Sequence, residues 1–146
     1  MFFDLEATGL NLVTDKIVEL CFIKLNPQGE TKVLTKRINP GIPISKEATL
    51  IHGITDEDVK ACPKFHEVAK SLAQFLEGCD LAGFSILKFD LPLLTEEFLR
   101  ANVDFKTDTR NLIDAQKIFH LMEPRTLSAA YKFYCDKVLE NAHTAE

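Results

Sequence analysis

The sequence has no tryptophan, only two tyrosines and two methionines, and no long run of hydrophobic residues. No apolar stretch approaches the roughly 18 residues that a membrane-spanning helix needs. The amino terminus has no charged segment followed by a hydrophobic one, so no secretory signal peptide is visible. The composition, 46% hydrophobic and 27% charged over 146 residues, is typical of one globular domain, and we expect residues 1–146 to form a single domain.

The sequence also lacks paired cysteines. Its four cysteines, Cys21, Cys62, Cys79 and Cys135, include no C-x-x-C pair and no histidine partner at zinc-binding spacing. We interpret them as reduced thiols, since a free cysteine packs like a small apolar residue. Reduced cysteines favour a cytoplasmic location.

Basic residues are too few to make the chain positive. Seventeen Lys and Arg face 22 Asp and Glu, which gives a net charge of −5. This argues against a protein that holds long nucleic acid through many phosphate contacts, because that affinity comes from Lys and Arg. It leaves open an enzyme that holds a few nucleotides against bound metal ions.

Two carboxylates stand one residue apart in an apolar run at the amino terminus, Phe2-Phe3-Asp4-Leu5-Glu6, which breaks at Thr8-Gly9. On a strand, positions i and i+2 point to the same side, so Asp4 and Glu6 would share one face. Two such charges repel each other unless a proton or a cation is shared, and hard oxygen ligands suit Mg²⁺ or Mn²⁺. The alternative is an exposed edge strand with one polar face; the apolar flanks favour a metal site.

The rest of the chain reads as strands followed by strands that alternate with helices. Apolar and β-branched residues predict strands at 2–5, 16–25, 30–38, 81–84 and 112–113, and 3.6-residue periodicity predicts helices at 65–77, 91–101, 115–122 and 126–134. A further helix is expected to begin after Thr55. This order predicts an α/β domain with a mixed sheet.

Three further residues could carry chemistry, although each also has a simpler explanation. Asp90 follows a short strand and loop, where it could be a helix N-cap, and Asp114 stands at a strand-to-helix junction, where capping is the better interpretation. His143 lies near the end of the sequence, where a histidine is more often only solvated.

Taken together, these segments resemble the DEDD superfamily of 3′–5′ exonucleases, in the branch that has a histidine in its last motif and includes the epsilon proofreading subunit of bacterial DNA polymerase III. The similarity follows the order of the family's motifs along nearly the whole chain. The matching segments are Phe3-Asp4-Leu5-Glu6-Ala7-Thr8-Gly9-Leu10, Ile51-His52-Gly53-Ile54-Thr55, Phe89-Asp90 and Asn141-Ala142-His143.

The resemblance implies an RNase H-like mixed sheet with helices on both faces, and it assigns roles by position. Asp4, Glu6 and Asp90 would be ligands of two Mg²⁺ or Mn²⁺ ions, and Glu6 and His143 would be catalytic, with His143 as the general base. The residues implied to contact the substrate are Thr8, Leu10, His52 and Phe89.

The sequence departs from the family pattern at two places. Ser85 stands where relatives often have Asn, which puts a positioning contact in doubt. The family's fourth acid would come five residues after His143, two residues beyond Glu146. We therefore expect a clipped domain whose last helix is truncated and whose metal site binds weakly.

The implied activity is hydrolysis of phosphodiester bonds at single-stranded 3′ ends of DNA or RNA, with release of nucleoside monophosphates. A DNA polymerase is an expected partner, and no membrane is. Two alternatives stay open: a non-catalytic nucleic-acid-binding or scaffold module of the same fold, and an RNase H-like endonuclease with the same carboxylate chemistry.

Overall fold

The computed structural model describes residues 1–123 and 125–139. Five strands are present in these residues: β1 (Phe2–Ala7), β2 (Ile17–Leu25), β3 (Thr31–Arg37), β4 (Leu81–Gly83) and β5 (Leu112–Asp114). The helices are α1 (Lys46–His52), α2 (Asp56–Val59), α3 (Phe65–Leu76), α4 (Asp90–Arg100), α5 (Ala115–Met122) and α6 (Leu127–Cys135). The predicted elements are confirmed to within two residues, and α1 is a helix that the sequence did not indicate.

The strands form one mixed sheet in the order β3-β2-β1-β4-β5. The hairpin β2–β3 and the neighbouring β1 are antiparallel, whereas β4 is parallel to both β1 and β5. A change in register between Glu6 and Ala7 marks the end of the regular pairing of β1 with β2. The predicted mixed α/β sheet is confirmed.

The main core covers one face of this sheet. Phe3 and Leu5 of β1 lie opposite Phe22 and Leu20 of β2, and all four are buried. Helices α3 and α4 pack their apolar stripes against this face with Phe65, Val68, Ala69, Leu72, Leu76, Leu91, Leu93, Leu94 and Phe98. Each fully buried side chain of this size contributes about 1.5–3 kcal/mol relative to the exposed state.

A smaller cluster supports the segment that contains α1 and α2. Ile44, Ala48, Ile54 and Val59 pack around Val18 of β2. Ser45 caps α1 by accepting a hydrogen bond from the Ala48 amide, and Thr55 caps α2 with a capping box, as its sequence predicts. These contacts anchor the two short helices to the sheet.

The chain divides into two compact units, Met1–Asp114 and Ala115–Glu146. In the second unit, Thr126 caps α6 and Asp136 ends it in the left-handed conformation. No described helix is long and apolar enough to cross a membrane. The predicted single domain over 1–146 stays a prediction.

Candidate active site

Strand β1 places Asp4 and Glu6 on one face of the sheet. Phe3, Leu5 and Ala7 alternate with them and are buried, while Asp4 is exposed and Glu6 is half-buried. The two-residue period of the strand therefore separates the apolar side chains from the two carboxylates. The same-side arrangement predicted from the sequence is confirmed.

Helix α4 brings Asp90 to this strand. Asp90 is the first helical residue and only 6% exposed, and its Oδ1 accepts a hydrogen bond from the Leu5 amide at 3.1 Å. Leu5 lies between Asp4 and Glu6, so this bond sets the third carboxylate beside the other two. The simpler interpretation of Asp90 as an N-cap is wrong, since Phe89 occupies that position and no side chain caps the helix.

Two of the three carboxylates, Asp90 and Glu6, have a raised pKa. Burial, followed by the charges of Asp4 and Glu6, raises the pKa of Asp90 from 3.8 to about 6, although hydrogen bonds from the backbone of Asp90 and Leu5 oppose the rise. Burial also raises the pKa of Glu6, and His52 opposes this rise while Asp4 adds to it. The cluster therefore carries negative charge that its protein surroundings compensate only in part.

The loop before Asp90 is fixed by a fourth acid. Asp114, at the end of β5, is buried and accepts hydrogen bonds from the amides of Ser85 at 2.9 Å and Leu87 at 3.2 Å. Ser85 has φ of 63°, a left-handed conformation that Asn adopts more readily than Ser. Through these two bonds Asp114 fixes the conformation of the loop that precedes Asp90.

An apolar cavity of about 310 Å³ opens beside Glu6. Leu10 and Ile51 are 83% and 82% exposed, although their side chains are hydrophobic. The lining residues are Glu6, Ala7, Gly9, Leu10, Ser45, Glu47, Ala48, Ile51, His52 and Phe89. A flat apolar group would fit between such walls.

His52 and Thr8 form hydrogen bonds with backbone groups around this cavity. The Nε2 of His52 lies 3.2 Å from the carbonyl oxygen of Ala7, and its Nδ1 accepts from the Ile54 amide at 3.0 Å. Thr8 is 1% exposed, and its hydroxyl donates to Asp15 and accepts from the Lys16 amide. Of the predicted substrate contacts, the structure brings Leu10, His52 and Phe89 together at the cavity and places Thr8 behind it.

The remaining predicted site residue, His143, lies outside the described residues. Within the described part of the chain, no three Asp, Glu, His or Cys side chains are arranged to hold a metal ion. The chemistry of Asp4, Glu6 and Asp90 nevertheless fits a hard divalent cation, because all three offer carboxylate oxygens and two have a raised pKa.

Sequence reasoning missed the cavity wall that α1 supplies. Ile51 of α1 lines the cavity next to His52. The only signal for this role in the sequence is that Ile51 belongs to the motif Ile51-His52-Gly53-Ile54-Thr55. Glu19 was missed as well; it lies directly across from Glu6 and raises its pKa, while Arg37 pairs with it at 3.1 Å.

A family model described as "Exonuclease" matches residues 1–146. The chain is similar to a PolC-type DNA polymerase III from Lacticaseibacillus paracasei, with 29% identity over 98% of this chain and 10% of that protein. It is also similar to the DNA polymerase III epsilon subunit of Haemophilus influenzae, with 30% identity over 72% of this chain and 43% of that protein.

Solved structures share the fold. E. coli exonuclease I, determined with a dA16 oligonucleotide, superposes with a TM-score of 0.72 at 17% identity, over 81% of this chain and 28% of that one. A second exonuclease I structure gives the same TM-score of 0.72 over 92% of this chain and 30% of that one, at 16% identity. The chain thus spans less than half the length of each of these relatives.

Proposed function

The chain belongs to the exonuclease family, and on that basis we propose that it is a metal-dependent 3′–5′ exonuclease domain. It hydrolyses the terminal phosphodiester bond of single-stranded nucleic acid and releases nucleoside monophosphates. The observation that carries this proposal is the bond from the Leu5 amide to Asp90, which sets this acid beside Asp4 and Glu6, while Glu6 also lines the apolar cavity. The family match, the predicted resemblance and the exonuclease I fold support the same activity.

Asp4, Glu6 and Asp90 are the residues that would hold two Mg²⁺ or Mn²⁺ ions. Two such ions would supply Lewis-acid chemistry, namely an activated water and charge stabilisation for the leaving 3′-oxygen. The Leu5 amide holds Asp90 in a fixed orientation, so one carboxylate is positioned before any ligand arrives. Glu6 spans both parts of the site, since it belongs to the carboxylate cluster and lines the cavity.

The proton from the attacking water goes to His143 in this proposal, which rests on the resemblance of Asn141-Ala142-His143 to the family's last motif. A histidine near its ordinary pKa can accept a proton at neutral pH. The second part of the proposal is substrate contact. Leu10 and Phe89 offer apolar surface to the terminal base, while His52 and Thr8 act by holding the backbone.

We extend two properties of the relatives to this chain as proposals. The substrate is a single-stranded 3′ end, DNA or RNA, in line with the oligonucleotide bound by exonuclease I. A DNA polymerase is the proposed partner, because the similar proteins are a polymerase III subunit and PolC-type polymerases. A partner that helps hold the substrate would suit a chain with net charge −5.

The test is degradation of an end-labelled single-stranded oligonucleotide with Mg²⁺ or Mn²⁺ by the parent, Asp4→Ala and the control Asp104→Ala. Asp104 is an exposed acid whose carboxylate pairs with Lys106 at 3.6 Å. We expect single nucleotides from the parent and the control, and at least about a 100-fold slower release from Asp4→Ala.

Each alternative function gives a different result in this assay. Equal rates for Asp4→Ala and the parent would show that the site is wrongly assigned. Longer products at early times would indicate an endonuclease. Binding of the oligonucleotide by the parent without turnover in Mn²⁺ would indicate a binding module.

A further inference from the structure

Arg100, the last residue of α4, bonds to the backbone of the segment 9–16, which lies between β1 and β2. Its guanidinium donates to the carbonyl oxygens of Leu12 at 3.1 Å, Val13 at 2.6 Å and Asp15 at 3.0 Å. We call these bonds the Arg100 clamp. Three carbonyls held by one planar group fix the segment in both position and orientation.

The clamp has a buried counter-charge. Glu97 is 5% exposed, and its Oε1 accepts from Nη1 of Arg100 at 2.7 Å. Glu96 adds a further ion pair at 3.4 Å from Nε. These carboxylates hold the guanidinium in place on α4. The clamp therefore fixes the segment relative to the helix.

Asp15 stabilises the segment through hydrogen bonds of its own side chain. Its carboxylate accepts from the Thr8 hydroxyl at 2.7 Å and from the Asn11 amide at 2.8 Å. It lies so close to Gly9 that a Cβ there would come within 2.6 Å of Oδ2 of Asp15. Asp15 thus fixes the conformation of the segment, and Arg100 fixes its position relative to α4.

The clamp connects both sides of the candidate active site. Helix α4 begins with Asp90 of the carboxylate cluster and ends with Arg100, and the clamped segment carries Gly9 and Leu10 into the cavity wall. Asp4 and Glu6 lie on the strand just before Leu10, so the distance that depends on the rigid helix and the Arg100 clamp is the one from Leu10 to Asp90. Since a nucleotide must contact both at once, this distance decides how well it binds.

We propose that Arg100 is a positioning residue for the terminal nucleotide: it fixes Leu10 relative to the carboxylate cluster without touching the substrate. The inference rests on the exonuclease function proposed above. Lysine cannot replace Arg100 in this role, because a single ammonium group does not span several carbonyls in one plane. It does keep a positive charge beside Glu97, so Arg100→Lys preserves the fold better than Arg100→Ala.

The matched control is Arg110→Lys. Arg110 also donates to backbone carbonyls, those of Leu76, Cys79 and Lys106, but none of these residues lines the cavity. Both substitutions remove a planar group that holds several carbonyls. Only the Arg100 substitution releases the segment that carries Leu10.

Two measurements test the proposal on the whole protein. One is the steady-state degradation of a single-stranded oligonucleotide, which separates KM from kcat. We expect Arg100→Lys to raise KM about tenfold with kcat within about threefold, as expected when binding contacts are lost but the reacting groups stay in place. The other is hydrogen exchange at the amides of Asn11 and Lys16, which we expect to accelerate about tenfold or more in Arg100→Lys.

Arg110→Lys should leave both the KM and the exchange of the segment 9–16 unchanged. The proposal is overturned if Arg100→Lys binds and degrades the oligonucleotide like the parent, or if Arg110→Lys raises KM as much. An inactive parent would instead contradict the proposed function itself. The two failures are therefore separated by the activity of the parent protein.

Discussion

Replacing Asp90 by Asn should make the metal-free protein more stable while it abolishes the proposed activity. The two side chains have the same shape, and the Oδ1 of Asn can keep the hydrogen bond from the Leu5 amide. The substitution removes the negative charge, which burial and the neighbouring Asp4 and Glu6 disfavour, and replaces one carboxylate oxygen by an NH₂ group of similar size. A residue retained at a cost in stability is typical of functional sites.

The size of the effect follows from the pKa of Asp90, which rises from 3.8 to about 6 in the folded protein. The folded pKa is the higher one, so the contribution of Asp90 to stability is full below pH 3.8 and is lost as the pH rises through about 6. Linkage converts this rise to about 3 kcal/mol at pH 8. Because the neighbouring Asp4 is exposed to solvent, screening reduces the expected gain to about 1–2 kcal/mol.

The assay is urea unfolding of the parent and Asp90→Asn in EDTA at pH 4 and pH 8. We expect Asp90→Asn to be more stable by about 1–2 kcal/mol at pH 8 and nearly equal to the parent at pH 4. Asp80→Asn is the control, because hydrogen bonds from Asn111 lower the pKa of Asp80 and no stabilisation should follow at pH 8. Adding Mn²⁺ should stabilise the parent but not Asp90→Asn.

Two results would refute this reasoning. If Asp90→Asn is no more stable than the parent at pH 8, the buried negative charge is already compensated in the folded protein by a group other than the Leu5 and Asp90 amides. If the gain is the same at pH 4 and pH 8, it comes from packing or from the unfolded state rather than from the charge.

Two further predictions concern the supports of the site. Gly83→Ala should destabilise the protein by about 2–4 kcal/mol in urea unfolding, because its Cβ would lie 2.7 Å from the backbone oxygen of Phe3; an unchanged midpoint would show that β1 and β4 can separate without cost. Asp114→Ala should cost about 2–3 kcal/mol and slow nucleotide release, because the amides of Ser85 and Leu87 lose their acceptor; full activity would show that the loop before Asp90 holds itself.

Local patterns accounted for much of the fold. The strand period placed Asp4 and Glu6 on one face because alternate side chains of any strand point to opposite sides. Thr55 marked a helix start because an N-cap is satisfied within four residues. Helix α1 was missed, since its seven residues are too few for a clear period and its stability comes from packing against Val18.

The order of motifs predicted which acids belong together but not how they meet. The sequence by itself determined the two strand carboxylates, the apolar faces of the helices and the family resemblance, because these depend on spacing along the chain. Only the tertiary structure decided that Asp90 bonds to the Leu5 amide, that Ile51 completes the cavity and that Arg100 holds the segment beside Leu10. These contacts join groups dozens of residues apart, and no local pattern records which backbone group a distant side chain will meet when the helices pack on the sheet.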